Sequence, residues 1–188
     1  NPAVILADGF IGQMMEPVDF PEAVESLPQK EWAIYAEGQD DDKLICSILL
    51  DPPELEVHNQ KLQEKYAEMK ENEVRYEDYN CDDAELVLIG YGVVSRVLQS
   101  AVDELRQQGH KVGLLRPISL FPFPETIIAE LADQVNKLLV VELSNGQMVD
   151  DVRLAVKHKV PVHFYGRMGG VVPSTEEIIE QVMTILKA

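Results

Sequence analysis

The sequence predicts an α/β fold: a mostly parallel sheet covered by helices on both faces, three layers in all. From residue 80 onward, short apolar runs alternate with amphipathic stretches of helical period. The runs at 86–90, 111–115, 138–143 and 160–165 are close to continuously apolar, as strands buried on both faces are. Each successive pair is separated by a segment of helix length, and parallel strands need such crossovers.

At the start, residues 3–6 are an apolar run ending at Asp8-Gly9, and Gly12 precedes Gln13-Met14-Met15 and Pro17. The pattern is strand, turn and short helix start. Such a strand has little sequence beside it with which to pair, and the chain does not open on methionine. Residues 1–20 are therefore expected to be the tail of a truncated preceding domain.

Residues 21–79 read as a linker. Prolines at 17, 21, 28, 52 and 53 punctuate the chain. Residues 32–36 and 44–50 are expected to pair as a hairpin across Gln39-Asp40-Asp41-Asp42, a solvated turn that lacks the spacing and glycine of a calcium loop. Residues 54–77 contain neither glycine nor proline and predict a long helix. Its apolar stripe of Leu55, Leu62, Tyr66 and Met69 is narrow, so it reads as an exposed connector helix.

Residues 80–188 hold the main domain. Val94, Val97, Leu98, Ala101, Val102 and Leu105 trace one helical face that Gly109 terminates. Pro124 suits the first position of the next helix, with Glu125 in its first turn. Strand 138–143 runs through VELSNGQMVDD into a tight Asn145-Gly146 turn and a helix opening at Gln147. Ser174 and Glu177 form an S-x-x-E capping box for the last helix.

Sixteen basic against thirty-three acidic residues give a net charge of −17, a field that repels nucleic acid and anionic lipid. No run approaches a membrane span and no signal peptide is visible, and two cysteines far apart in sequence suggest a reduced, cytoplasmic location. Cys46 and Cys81 match no metal or redox spacing and cannot supply the thiolate set of an iron–sulfur cluster. His58, His110, His158 and His163 show no metal spacing, and G-x-S-x-G is absent. No catalytic residue and no metal ligand is expected.

The candidate site is the sheet's carboxyl edge. Arg116, Glu142, Asn145, Gly146 and Gln147 fall at or just beyond predicted strand ends, which a parallel sheet gathers into one rim. Two readings stand: Arg116 pairs with Glu142 while Asn-Gly serves the turn, or the set forms a polar rim that meets a subunit or a substrate-bearing domain. Gly90-Tyr91-Gly92 also joins a strand to a helix. The third glycine of a dinucleotide turn is missing, since Val93-Val94-Ser95 follow, and no acidic residue closes the next strand. Close backbone turning and a weak phosphate contact at Gly90 and Gly92 both remain. Gly12-Gln13-Met14 and Gly146-Gln147-Met148 repeat one motif after two predicted strands.

Four stretches, ILADGFIGQMMEPV at 5–18, HNQKLQEKYAEMKENEVRYEDY at 58–79, LRPISLFPFP at 115–124 and VELSNGQMVDDVRLAV at 141–156, resemble the alpha subunit of 2-oxoacid:ferredoxin oxidoreductases. The resemblance spans the whole chain and looks nearest to the 2-ketoisovalerate type, then the 2-oxoglutarate type. It implies that residues 1–20 end a pyrimidine-binding domain and that 80–188 are a transketolase C-terminal-like domain. It further implies a complex that converts a 2-oxoacid and coenzyme A into acyl-CoA and carbon dioxide while reducing ferredoxin. Thiamine diphosphate, magnesium, coenzyme A and iron–sulfur clusters serve that complex, which has beta, gamma and delta-type subunits. In the family the activating glutamate and the metal site lie outside the part that this chain matches. The chain is thus expected to bind no cofactor itself and to serve structure and assembly, with homodimerisation left open. Two alternatives stand beside this: the C-terminal domain of another thiamine enzyme (transketolase or 2-oxoacid dehydrogenase component), and a stand-alone phosphate or nucleotide module using Gly90, Gly92 and the loop at 166–170.

Overall fold

The computed structural model describes residues 3–15, 17–26, 46 and 48–187. The hairpin expected at 32–36 and 44–50 and the acidic tract between them fall largely outside these, and residues 48–50 carry no strand. The chain divides into two compact units, Asn1–Gln13 with Tyr66–Ala188, and Met14–Lys65.

Among the described residues of the smaller unit the regular element is the first part of helix α1 (Pro52–Asn72), along which no residue is buried. The exposure expected of its narrow apolar stripe is observed. The helix stops at Asn72, short of residue 77, because the chain finds a better use for the residues that follow. Strand β1 (Tyr76–Tyr79) pairs antiparallel with β3 (Val112–Pro117), and the Arg75 carbonyl accepts from the Ile118 and Ser119 amides. Tyr76 and Tyr79 suit a strand, and the pairing satisfies backbone groups that a solvent-facing helix end would leave to water.

The sheet of the larger unit runs β1-β3-β2-β4-β5, with β2 (Leu86–Ile89), β4 (Lys137–Glu142) and β5 (Val162–Gly166) parallel to β3. Helices α2 (Val93–Gln107), α3 (Glu125–Leu131), α4 (Met148–Val156) and α5 (Thr175–Lys187) make the connections and the close. Pro124 sits one place earlier than expected, as the N-cap of α3.

Alternation along the strands divides the core. Leu86, Leu88, Val112, Leu114, Leu139 and Val141 face α2 and α5. Val87, Ile89, Leu115, Leu138 and Val140 face α3 and α4. On the first side Leu98, Ala101, Val102 and Leu105 are wholly buried, as their helical spacing requires; each leucine contributes about 2 kcal/mol by leaving water.

Polar contacts fasten the ends of these elements. Arg106 at the end of α2 donates to the Val112 carbonyl at 2.7 Å, the Asn80 carbonyl at 2.6 Å and Asp83 at 2.7 Å. The Arg106 hydrogen bond holds the Asp83 carboxyl below its ordinary range. The contact's stabilisation is therefore present above the unfolded value and is lost as pH falls through the lowered one. The capping box forms as expected: the Glu177 amide donates to Ser174 Oγ at 3.2 Å and the Ser174 amide to Glu177 Oε2 at 2.9 Å.

The apolar run at the chain's start forms no strand. Val4, Ile5 and Leu6 are exposed and irregular, because no neighbouring strand among the described residues pairs with them. A turn at Gly9 and Phe10 and a 3-10 turn at Ile11–Gln13 follow, with Asp8 Oδ1 accepting the Phe10 amide at 2.7 Å.

Candidate functional site at the strand-end rim

Strands β2 and β4 are neighbours, yet the chain leaves β2 through α2 toward β3 on one side and leaves β4 through α4 toward β5 on the other. Between them lies the point where the winding reverses, the place where open α/β sheets hold ligands or partner loops. Both candidate turns meet there.

The β4 turn is organised by Glu142. Leu138 and Val140 face α3 and α4, so two residues on Glu142 faces the same way, and it is buried to 3% exposure. Its carboxylate accepts the amides of Gln147 at 3.1 Å, Met148 at 3.1 Å and Val149 at 2.9 Å, and the Ser144 hydroxyl at 3.0 Å. Gln147 occupies the N-cap of α4 without a side-chain cap bond. Glu142 thus satisfies the open amides of the first turn and places a negative charge at the positive end of the helix. Ser144 Oγ in turn accepts the Gly146 amide at 3.1 Å, and Gly146 takes φ 102°, a conformation that glycine adopts without strain.

Outside this knot, Asn145 and Gln147 point into solvent and their side chains make no hydrogen bond among the described residues. Arg116 lies elsewhere. It sits within β3, not beyond it, on the α2 side with Leu114, and its guanidinium pairs with Glu77 of β1 at 2.8 Å. Arg116 and Glu142 occupy opposite faces of the sheet, so the pairing considered from sequence does not occur. Of the five rim residues the structure brings together Glu142, Asn145, Gly146 and Gln147, and leaves Arg116 apart.

The β2 turn is built without a side-chain cap. A Cβ on Gly90 would meet Leu98 Cδ1 at 2.6 Å, Val94 Cγ1 at 3.0 Å and the Val141 carbonyl at 3.3 Å. Gly90 is there so that α2 can close onto the sheet. Gly92, at φ 60° and ψ −139°, turns the chain into the helix. The crevice beside it has a volume of about 240 Å³ and is lined by Asp8, Ile11, Tyr91, Gly92 and residues 141–144, among others. That is below the roughly 300–1,000 Å³ of small-molecule pockets. Asp8 also brings a carboxylate to its wall, which opposes a phosphate. Close turning is the reading these contacts favour at Gly90 and Gly92.

Sequence reasoning missed Ser144 and Asp8. For Ser144 a signal existed, since a hydroxyl two residues past a strand-end acid is well placed to bond it. For Asp8 none did, because its approach to the rim is set by tertiary placement.

Among the described residues, no group of three or more His, Cys, Asp or Glu is placed to hold a metal ion. Glu142 is already engaged by amides and a hydroxyl. Burial pushes the Cys81 thiol up to about 12, and Cys46 is exposed in the other unit.

Fold and rim together define a doubly wound α/β domain of transketolase C-terminal type with a self-capped strand-end loop. Its likeness to a 2-oxoglutarate:ferredoxin oxidoreductase from Magnetococcus marinus, solved with 2-oxoglutarate, coenzyme A and succinyl-CoA bound, has a TM-score of 0.64 at 22% identity and covers 72% of this chain and 24% of that one. A split-gene transketolase, an inactive beta4 tetramer, gives 0.51 at 14% identity over 60% of this chain and 41% of that one. The family of the pyruvate:ferredoxin oxidoreductase core domain II matches residues 84–178, half of the chain, and the chain belongs to it. Ketoisovalerate oxidoreductase subunit VorB of Methanothermobacter thermautotrophicus is 48% identical over 186 residues, 98% of this chain and 53% of the relative. The 2-oxoglutarate synthase subunit KorA of Methanocaldococcus jannaschii is 26% identical over 97% of this chain and 56% of the relative. The chain spans about half the length of these curated relatives. No helix among the described residues is long and apolar enough to cross a membrane.

Proposed function

We propose that this chain is part of the alpha-type subunit of a thiamine-diphosphate-dependent 2-oxoacid:ferredoxin oxidoreductase whose substrate is a branched-chain 2-oxoacid of the 2-ketoisovalerate kind. The observation that carries the reading is the gap between 48% identity to a ketoisovalerate oxidoreductase subunit and 26% to a 2-oxoglutarate synthase subunit, each over almost the whole chain. The complete enzyme converts the 2-oxoacid and coenzyme A to acyl-CoA and carbon dioxide, passing electrons through iron–sulfur clusters to ferredoxin in the cytoplasm. Thiamine diphosphate and magnesium are bound by other parts of the complex, with beta, gamma and delta-type partners. Within it, residues 80–188 act as a scaffold domain and residues 1–20 as the end of the domain before it. Asn145, Gly146 and Gln147 contribute to a contact rim that Glu142 holds in shape, while Arg116, first expected in that rim, fastens β3 to β1 through Glu77.

The test is turnover of the purified complex containing the full-length protein, followed by reduction of a viologen acceptor with coenzyme A and each of three 2-oxoacids. Highest kcat/KM with 2-ketoisovalerate is expected. Preference for 2-oxoglutarate or pyruvate overturns the substrate, and no 2-oxoacid dependence overturns the enzyme class.

A further inference from the structure

The large apolar side chains that residues 76–187 leave in solvent are not scattered. All but Leu154 lie at the sheet's carboxyl rim. Tyr91 follows β2, and Ile118, Leu120 and Phe121 follow β3. Leu143 follows β4, Met168 and Val171 follow β5, and Tyr76 joins them opposite Pro117. Phe121, 62% exposed, meets Tyr66 edge-on and remains open on its other side. Single exposed apolar residues are ordinary, whereas their gathering at one end of a sheet marks a contact face.

The margin of this face is acidic. Helices α3, α4 and α5 begin there with Glu125, Asp150, Asp151, Glu176 and Glu177 in their first turns, where the helix dipole favours negative charge. Lys70, Arg153 and Arg167 pair with Glu125, Asp150 and Glu177, which leaves Asp151 and Glu176 without a basic partner among the described residues. Asp8 adds a further carboxylate at the crevice. A second copy of the chain would bring one acidic margin against another, each on a molecule of net charge −17.

We propose that the strand-end rim docks a separate subunit whose matching face is apolar at its centre and basic at its margin. This rests on the reading of the chain as part of a multi-subunit enzyme and deepens it. The central anchors are the apolar loop residues, and the acidic first turns steer the approach.

The experiment uses the full-length protein produced together with its partner subunits. Ile118→Glu with Met168→Glu puts charge on the apolar loops after β3 and β5, either side of the switch point, and Leu154→Glu makes the same change on α4 away from the face. Mass photometry on dilution is expected to show assembly of the rim variant weakened by about thirtyfold or more. The Leu154→Glu protein assembles like the parent, and added salt slows association of the parent. Tyr91→Ser with Val171→Ser, a gentler pair, is expected to weaken assembly in the same direction with an unchanged melting temperature, which separates docking from folding. Assembly of both rim variants at parental strength overturns the proposal, as does a homodimer of the parent chain that the rim substitutions dissolve. Mass is read independently of turnover: a parent complex that assembles through the rim but oxidises no 2-oxoacid contradicts the proposed function and leaves the docking face standing.

Discussion

Two turns meet at the switch point and solve one problem in opposite ways. After β2 the chain enters α2 by removing side chains: Gly90 lets the helix close onto the strand, Gly92 supplies the positive φ, and no side chain caps the helix. After β4 it enters α4 by adding one: the Glu142 carboxylate reaches back from the strand and gathers three amides and a hydroxyl. The first turn is fixed by steric fit, the second by electrostatics. Only the second leaves a shaped loop, residues 143–147, whose outward side chains are free of duties in the fold.

Substitutions separate the two. The largest effect is expected from Glu142→Ala, which strands buried amides at the head of α4 and costs about 3 kcal/mol. Denaturant unfolding of the full-length protein measures it, and a loss under about 1 kcal/mol contradicts the carboxylate's role. Gly90→Ala comes next at about 2 kcal/mol, because its methyl group collides with Leu98 and Val94 and forces α2 outward. Gly92→Ala has open space around it and is limited to backbone strain of about 1 kcal/mol. If Gly92→Ala proves worse than Gly90→Ala, conformation and not crowding governs the β2 turn. Smallest in stability are Asn145→Ala and Gln147→Ala, within about 0.5 kcal/mol as for other exposed positions. The same two are expected to weaken assembly or turnover of the whole enzyme. A large drop in melting temperature would return them to a structural role.

What was legible in the sequence follows from how local each signal is. The buried face of α2 and the Ser174 and Glu177 capping box depend on residues a few positions apart, and each appears where expected, whereas the tight Asn145-Gly146 turn is replaced by a bend over residues 143–147 in which Gly146 alone takes positive φ. β1 was hidden because YEDY follows a long run of strong helix formers, and its reason for being a strand is β3, some forty residues away. The apolar run at Val4, Ile5 and Leu6 has strand composition and no pairing partner, so composition alone misleads there. Glu142 could be placed at a strand end from sequence, but not its direction. The face to which it points follows from sheet alternation, and that separates it from Arg116. The loop residues Ile118, Leu120 and Met168 could be placed between elements, while their gathering at one end required the strand order.

Hydrogen exchange of the full-length protein tests the central claim most directly, that Glu142 holds the rim loop in shape. Compared between the parent and Glu142→Ala, the amides of Met148 and Val149 are expected to change from strongly protected to rapidly exchanging, while those of Val93 and Val94 at the head of α2 keep their rates. Equal protection at Met148 and Val149 in both proteins would contradict the account.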